Sequence, residues 1–204
     1  MIELKDLGTF ESVSEIVIDI VKGNIVALEN ALADGWDIHK PIQLGKYSEY
    51  SPLELALVMN CFPSVQWLVE HGADLNYEEN PSFLLAVRYA DQKVIDYVVN
   101  HGANIHALNS VDVDAFQAAL YGKKYENLQR IHDLGHTVQK YGGKAFRNAI
   151  TENNYEVLDF FIHNGVDINY NKPDSVYPFK PTPLCVAARY VDLQMCKYLV
   201  EHGA

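Results

Sequence analysis

Six glycines, Gly35, Gly72, Gly102, Gly135, Gly165 and Gly203, stand 37, 30, 33, 30 and 38 residues apart, a period close to 34. In the last five repeats an alanine precedes the glycine by 16 residues: Ala56, Ala86, Ala119, Ala149 and Ala187. A constant distance within the repeat, beside a variable distance between repeats, separates a rigid part from a connector free to change length. Repetition at this period marks a solenoid, in which each small repeat buries its apolar face only against its neighbours. The 204 residues are therefore expected to form one elongated domain, with repeats at 14–38, 51–76, 81–106, 114–139, 144–169 and 182–204.

The segment 51–76, SPLELALVMNCFPSVQWLVEHGADLN, shows what one repeat encodes. Ser51 can cap a helix whose first turn holds Pro52, where the missing N–H is not needed. Leu53, Ala56 and Leu57 then share one helical face. Residues 60–63 break the pattern, since Pro63 cannot lie inside a continuing helix, and Val65, Leu68 and Val69 form a second apolar face. Gly72 closes that second helix by adopting the left-handed backbone that a glycine accepts without strain. The alanine is small because two helices and the adjoining repeat converge on it.

These residues resemble the ankyrin repeat, whose pattern runs TPLHxAA, a turn, a second helix with paired aliphatics, then GADxN. The best copies are SPLELAL with HGADLN (51–76) and TPLCVAA with YLVEHGA (182–204); weaker ones are SFLLAV with HGANIH, AFQAAL with LGHTVQ, and AFRNAI with NGVDIN. The resemblance covers roughly residues 14–204. It implies an all-α solenoid of about six helix-turn-helix repeats with finger loops, and a partner held on the finger tips and the concave face of the first helices. Departures carry expectations of their own. Repeats three, four and five have Pro81-Ser82, Asp114-Ala115 and Lys144-Ala145 in place of Thr-Pro, so looser helix starts are expected there, and Phe83, Phe116 and Phe146 replace the usual leucine. Gly142-Gly143 reads as a finger turn before a helix starting near Lys144. Asp19 takes the alanine's place in the first repeat, which reads as a terminal capping repeat with a solvated outer face.

With 27 acidic against 16 basic residues the net charge is −11. That balance repels nucleic acid and anionic membranes and favours a protein partner with a basic surface. The N-terminus lacks the basic-then-apolar order of a signal peptide, and no apolar run approaches the roughly 20 residues of a membrane span. Three cysteines, Cys61, Cys185 and Cys196, without metal-ligand spacing, suit a reducing compartment, so a cytoplasmic protein is expected, with delivery into a host cell as the alternative. No phosphate loop, metalloprotease motif, nucleophile elbow or dinucleotide fingerprint occurs, and the expectation is no enzyme, no cofactor and no metal. His71, His101 and His202 each precede a helix-closing glycine; about 10 Å apart by helix packing, they cannot share one ion and suit the negative end of a helix instead.

Two groups of residues are candidates for partner binding. The connectors at 39–50 and 170–181 carry Tyr47, Tyr50, Tyr170, Tyr177 and Phe179, more aromatic surface than inert solvated loops need. The last turns of the first helices align Val58-Met59, Arg88-Tyr89, Tyr121-Gly122, Thr151-Glu152 and Arg189-Tyr190, a stripe rich in the Tyr and Arg of binding hot spots. The alternative is that these tyrosines are half-buried packing residues with wet hydroxyls. The partner-binding set is thus Tyr47, Tyr50, Met59, Arg88, Tyr89, Tyr121, Tyr177, Phe179, Arg189 and Tyr190, whereas Tyr97, Tyr155 and Tyr198 on the second helices read as packing. The chain is expected to be a non-catalytic protein-protein interaction scaffold. The alternative is the targeting or substrate-recognition segment of a longer enzyme or of a bacterial or viral effector. A monomer is expected, with self-association through the C-terminal end as the other possibility, because Leu193, Cys196, Leu199 and Val200 do not make a polar cap.

Overall fold

The computed structural model describes residues 14–44, 48–77, 81–173 and 181–204. Among these residues, twelve α-helices follow one another in pairs: α1 (Glu15–Lys22) with α2 (Ile25–Ala33), α3 (Pro52–Val58) with α4 (Phe62–Glu70), α5 (Ser82–Tyr89) with α6 (Gln92–Asn100), α7 (Ala115–Tyr121) with α8 (Leu128–Asp133), α9 (Val138–Thr151) with α10 (Tyr155–His163), and α11 (Pro183–Tyr190) with α12 (Leu193–Glu201). The chain packs as two compact units, Met1–Ser110 and Val111–Ala204, each with three of the pairs. The all-α reading holds, with one local addition: the connector after α2 forms a short antiparallel hairpin, β1 (Ile42–Leu44) and β2 (Ser48–Tyr50), with Ile42 opposite Tyr50.

The repeated residues do what their spacing demands. Ala56, Ala86, Ala119, Ala149 and Ala187 are all 0% exposed. All six spaced glycines have left-handed φ, between 77° and 103°, and at Gly72 the turn closes through Gly72 N–H to Val69 O at 3.1 Å and Ala73 N–H to Leu68 O at 3.0 Å. Ser51 Oγ accepts from Glu54 N–H while the Glu54 carboxylate accepts from Ser51 N–H, a reciprocal capping box. Asp19, in the alanine's place, is only half-buried and accepts from Asn24 Nδ2 at 2.9 Å, so its carboxylate keeps its water and its partner.

Two expectations about helix starts are overturned. Repeat four does not begin loosely: Asp114 accepts from Gln117 N–H at 2.9 Å and Gln117 Oε1 accepts from Asp114 N–H at 3.4 Å, a second capping box. Repeat five has no finger turn at Gly142-Gly143. α9 starts at Val138, six residues before Lys144, and both glycines lie inside it. In the turns that follow Gly72, Gly102 and Gly165, Asp74, Asn104 and Asp167 fold the chain by accepting from the N–H two residues on. Thr137 takes that place here, makes no such bond, and the helix follows at once, its Val138 N–H donating to His132 Nδ1 at 3.2 Å.

The glycines persist inside α9 because of what lies over them. A Cβ on Gly143 would stand 2.2 Å from Cδ2 of the Tyr170 ring, and one on Gly142 would stand 3.1 Å from Cδ1 of Phe161. Helix propensity alone favours Gly143→Ala by about 1 kcal/mol. Contact with the root of an aromatic ring outweighs it, and Gly143→Ala is expected to destabilise the second compact unit by about 1–3 kcal/mol in urea unfolding. A stabilised variant would show that Tyr170 moves aside freely.

Candidate partner-binding surface

In the first compact unit α3 packs beside α5, and β2 lies against α3. This places Met59 at the end of α3, Arg88 and Tyr89 at the end of α5, and Tyr50 at the end of β2, all four half-buried. Burial, then the nearby Tyr89, then the Glu54 carboxylate push the Tyr50 phenol up from its ordinary value. Tyr50 and Tyr89, read from the sequence as members of separate groups, are therefore neighbours. The Arg88 guanidinium sits 5.0 Å from the Tyr89 ring centre, which leaves the pair flat and cationic on one side.

In the second compact unit α7, α9 and α11 pack in succession, so their last turns stand in a row. Tyr121 is 43% exposed and Tyr190 53%, with Thr151 and Glu152 exposed between them in sequence. Asn148 Nδ2 donates to the Tyr121 hydroxyl at 3.4 Å, and the exposed Arg189 lies 5.2 Å from the Tyr190 ring centre. Tyr47, Tyr177 and Phe179 lie outside the described residues.

Sequence reasoning missed Arg147. It is 0% exposed, stands on α9 between Phe146 and Ala149, donates from Nη1 to Pro181 O at 3.3 Å, and has its guanidinium 4.9 Å from the Tyr170 ring centre. One buried side chain thus holds both ends of the 170–181 connector. The available signal was a cation on an apolar helical face, which is rarely buried without a specific task.

The histidines act as helix caps. Nδ1 of His71, His101, His163 and His202 lies 2.7–2.8 Å from the carbonyl oxygen four residues earlier, and since a carbonyl only accepts, that nitrogen carries the proton. Three of these rings also lie over the aromatic side chain four residues back, with centres 4.0 Å apart for Trp67–His71 and Tyr97–His101 and 4.4 Å for Tyr198–His202. No group of three or more His, Cys, Asp or Glu that could hold a metal ion comes together among the described residues. Tyr97 packs edge-on against Phe62 at 5.4 Å, Tyr155 against Tyr198 at 5.0 Å, and the Tyr198 hydroxyl donates to Asp159 Oδ1 at 2.6 Å, all three being half-buried contacts between neighbouring second helices. Cys61, Cys185 and Cys196 are free thiols. No helix among the described residues is long and apolar enough to cross a membrane.

No family model matches the chain. Among curated proteins, human ankyrin repeat and SOCS box protein 2 is 29% identical over 97 residues, a match covering 45% of this chain and 15% of that much longer protein. Among solved structures, the human ASB11 ankyrin repeat domain superposes with a TM-score of 0.69 at 16% identity, over 94% of this chain and 85% of the other. At that identity the likeness is one of fold, and it meets the repeat period, the helix pairs, the buried alanines and the left-handed glycines at the same conclusion: the chain has the fold of an ankyrin repeat domain.

Proposed function

We propose that this protein is a non-catalytic scaffold that binds a protein partner through the ends of its first helices and the adjoining connectors. Ankyrin repeat domains bind protein partners. The observation that carries the reading further is the chemistry of the exposed row Tyr121, Arg189 and Tyr190, together with the neighbours Tyr50, Arg88 and Tyr89 in the first compact unit. Tyr and Arg supply large, rigid, amphipathic contact area, and side chains already placed lose little freedom on binding. The net charge of −11 favours a partner with a basic surface, and three free thiols fit a reducing compartment such as the cytoplasm. A second reading, recognition segment of a longer enzyme or effector, is favoured by the length of the curated relative, of which the match spans 15%. The mass of the natural polypeptide decides between them.

The test is a side-by-side capture from the native cell with the parent chain, Tyr89→Ala and Tyr190→Ala as baits, followed by affinity measurement on the retained protein. Each substitution is expected to weaken binding by about 1 kcal/mol or more while the circular dichroism stays unchanged. Equal affinity of both variants and the parent would overturn the reading. A loss of affinity that tracked a loss of helicity would make that tyrosine a core residue instead.

A further inference from the structure

In the first compact unit a cavity of about 500 Å³ opens between the hairpin, the start of α3 and the turn after α4. This is within the range of pockets that take a side chain with its flanking backbone. Ile38 and Leu53 form apolar wall, Tyr77 stands at the side 48% exposed, and Glu49, Glu54 and Asp74 contribute carboxylates; His39 also lines it. Clustered acids alone would mean little. Glu54 is different, because it is only 7% exposed and yet incompletely used. One of its oxygens accepts from Ser51 N–H in the capping box, while Oε1 is buried with no hydrogen-bond partner among the described residues. A buried carboxylate with acceptor capacity left over is costly unless a donor arrives.

We propose that this cavity receives an arginine side chain from the protein partner. The inference deepens the partner-binding reading by naming a side chain that the partner presents. A cation completes the Glu54 carboxylate through charge-assisted hydrogen bonds, which are stronger than neutral ones. Arginine fits the rest of the lining better than lysine does. Its methylene stem covers apolar wall such as Ile38 and Leu53, its flat guanidinium stacks on an exposed tyrosine face, and its five N–H donors serve several carboxylates at once. The surplus of negative charge over the whole chain steers a cation toward the site.

The experiment is an amide-resolved NMR titration of the whole chain with N-acetyl-arginine N′-methylamide. The reference is its citrulline analogue, which has nearly the same shape but no charge. Saturable shifts are expected at Glu49, Glu54, Asp74 and Tyr77, with the arginine compound binding about 10-fold or more tightly than citrulline at dissociation constants on the order of 10 mM. Glu54→Gln keeps the capping box, since glutamine accepts the same Ser51 N–H, and is expected to weaken arginine binding about 10-fold. Should that variant unfold, Glu49→Gln and the citrulline comparison on the parent chain still decide. Equal shifts from the two compounds, shifts spread over acidic surface away from the cavity, or parent-like titration of both variants would overturn the proposal. The titration uses no natural partner. A failed titration with tyrosine-dependent partner capture intact therefore removes only the pocket, and the converse result removes only the surface reading.

Discussion

Phe161→Ala is expected to destabilise the second compact unit by about 3–5 kcal/mol, a large part of the total stability of a domain of this size. Phe161 is 0% exposed and meets three other rings edge-on: Phe160 with centres 5.3 Å apart, Phe116 at 5.4 Å and Phe146 at 6.2 Å. Two of those rings belong to first helices and one to its own helix, so removing the phenyl group opens a hole that no single side chain can refill. Urea unfolding measures the loss, and hydrogen exchange should find it in residues 111–204. The half-buried Phe160 is the control, and Phe160→Ala should cost clearly less. A change below about 1 kcal/mol for Phe161→Ala would mean that the site collapses without penalty and that the four-ring cluster is not a core.

Asp114→Asn is expected to stabilise the protein at pH 8 by up to about 3 kcal/mol and to change little at pH 4. Burial raises the Asp114 carboxyl from its ordinary 3.8 to about 6, against the smaller opposing pull of its capping bond from Gln117 N–H and of the nearby Lys144. Well below pH 4 the group is protonated whether the chain is folded or not. Between about pH 4 and 6 the folded state keeps a proton that the unfolded state has released, so stability falls as pH rises. Above pH 6 both states are ionised and the whole penalty of the buried charge remains. Asparagine caps a helix about as well as aspartate and carries no charge to bury. Thermal unfolding of both proteins at pH 4 and pH 8 checks this. The same difference at both pH values would show that the Asp114 charge is solvated in the fold.

The legible parts were those decided within one repeat. Ser51, Pro52 and Glu54 start a helix by bonds that span three residues, and the turn at Gly72 ends one by the bond from Ala73 N–H to Leu68 O, which spans five. Asp114 and Gln117 obey the same local rule, and their three-residue spacing encodes a capping box although the repeat lacks Thr-Pro. The N-terminal turns of α9 were not legible. Residues 138–144, VQKYGGK, hold two adjacent glycines, each disfavouring a helix by about 1 kcal/mol relative to alanine. What keeps both positions glycine is Tyr170 and Phe161 crowding the places a Cβ would take, one of them from a connector about 30 residues away. The binding candidates divide in the same way. The place of Tyr121 and Tyr190 at the ends of first helices was legible, whereas the approach of Tyr50 to Tyr89 required the hairpin to fold back beside α3.

By itself, then, the amino-acid sequence determined the repeat, the helix pairs, the buried alanine and the glycine stop, because capping, helical spacing and left-handed backbone act over a handful of residues. The tertiary structure alone decided that repeat five has no finger and that Arg147 is buried to hold both ends of a connector. It also decided that Glu54, a lining residue of the cavity, keeps a buried oxygen without a hydrogen-bond partner among the described residues. Each of these depends on atoms brought together from beyond one repeat or from its far ends, where close packing lets a distant ring outweigh local propensity.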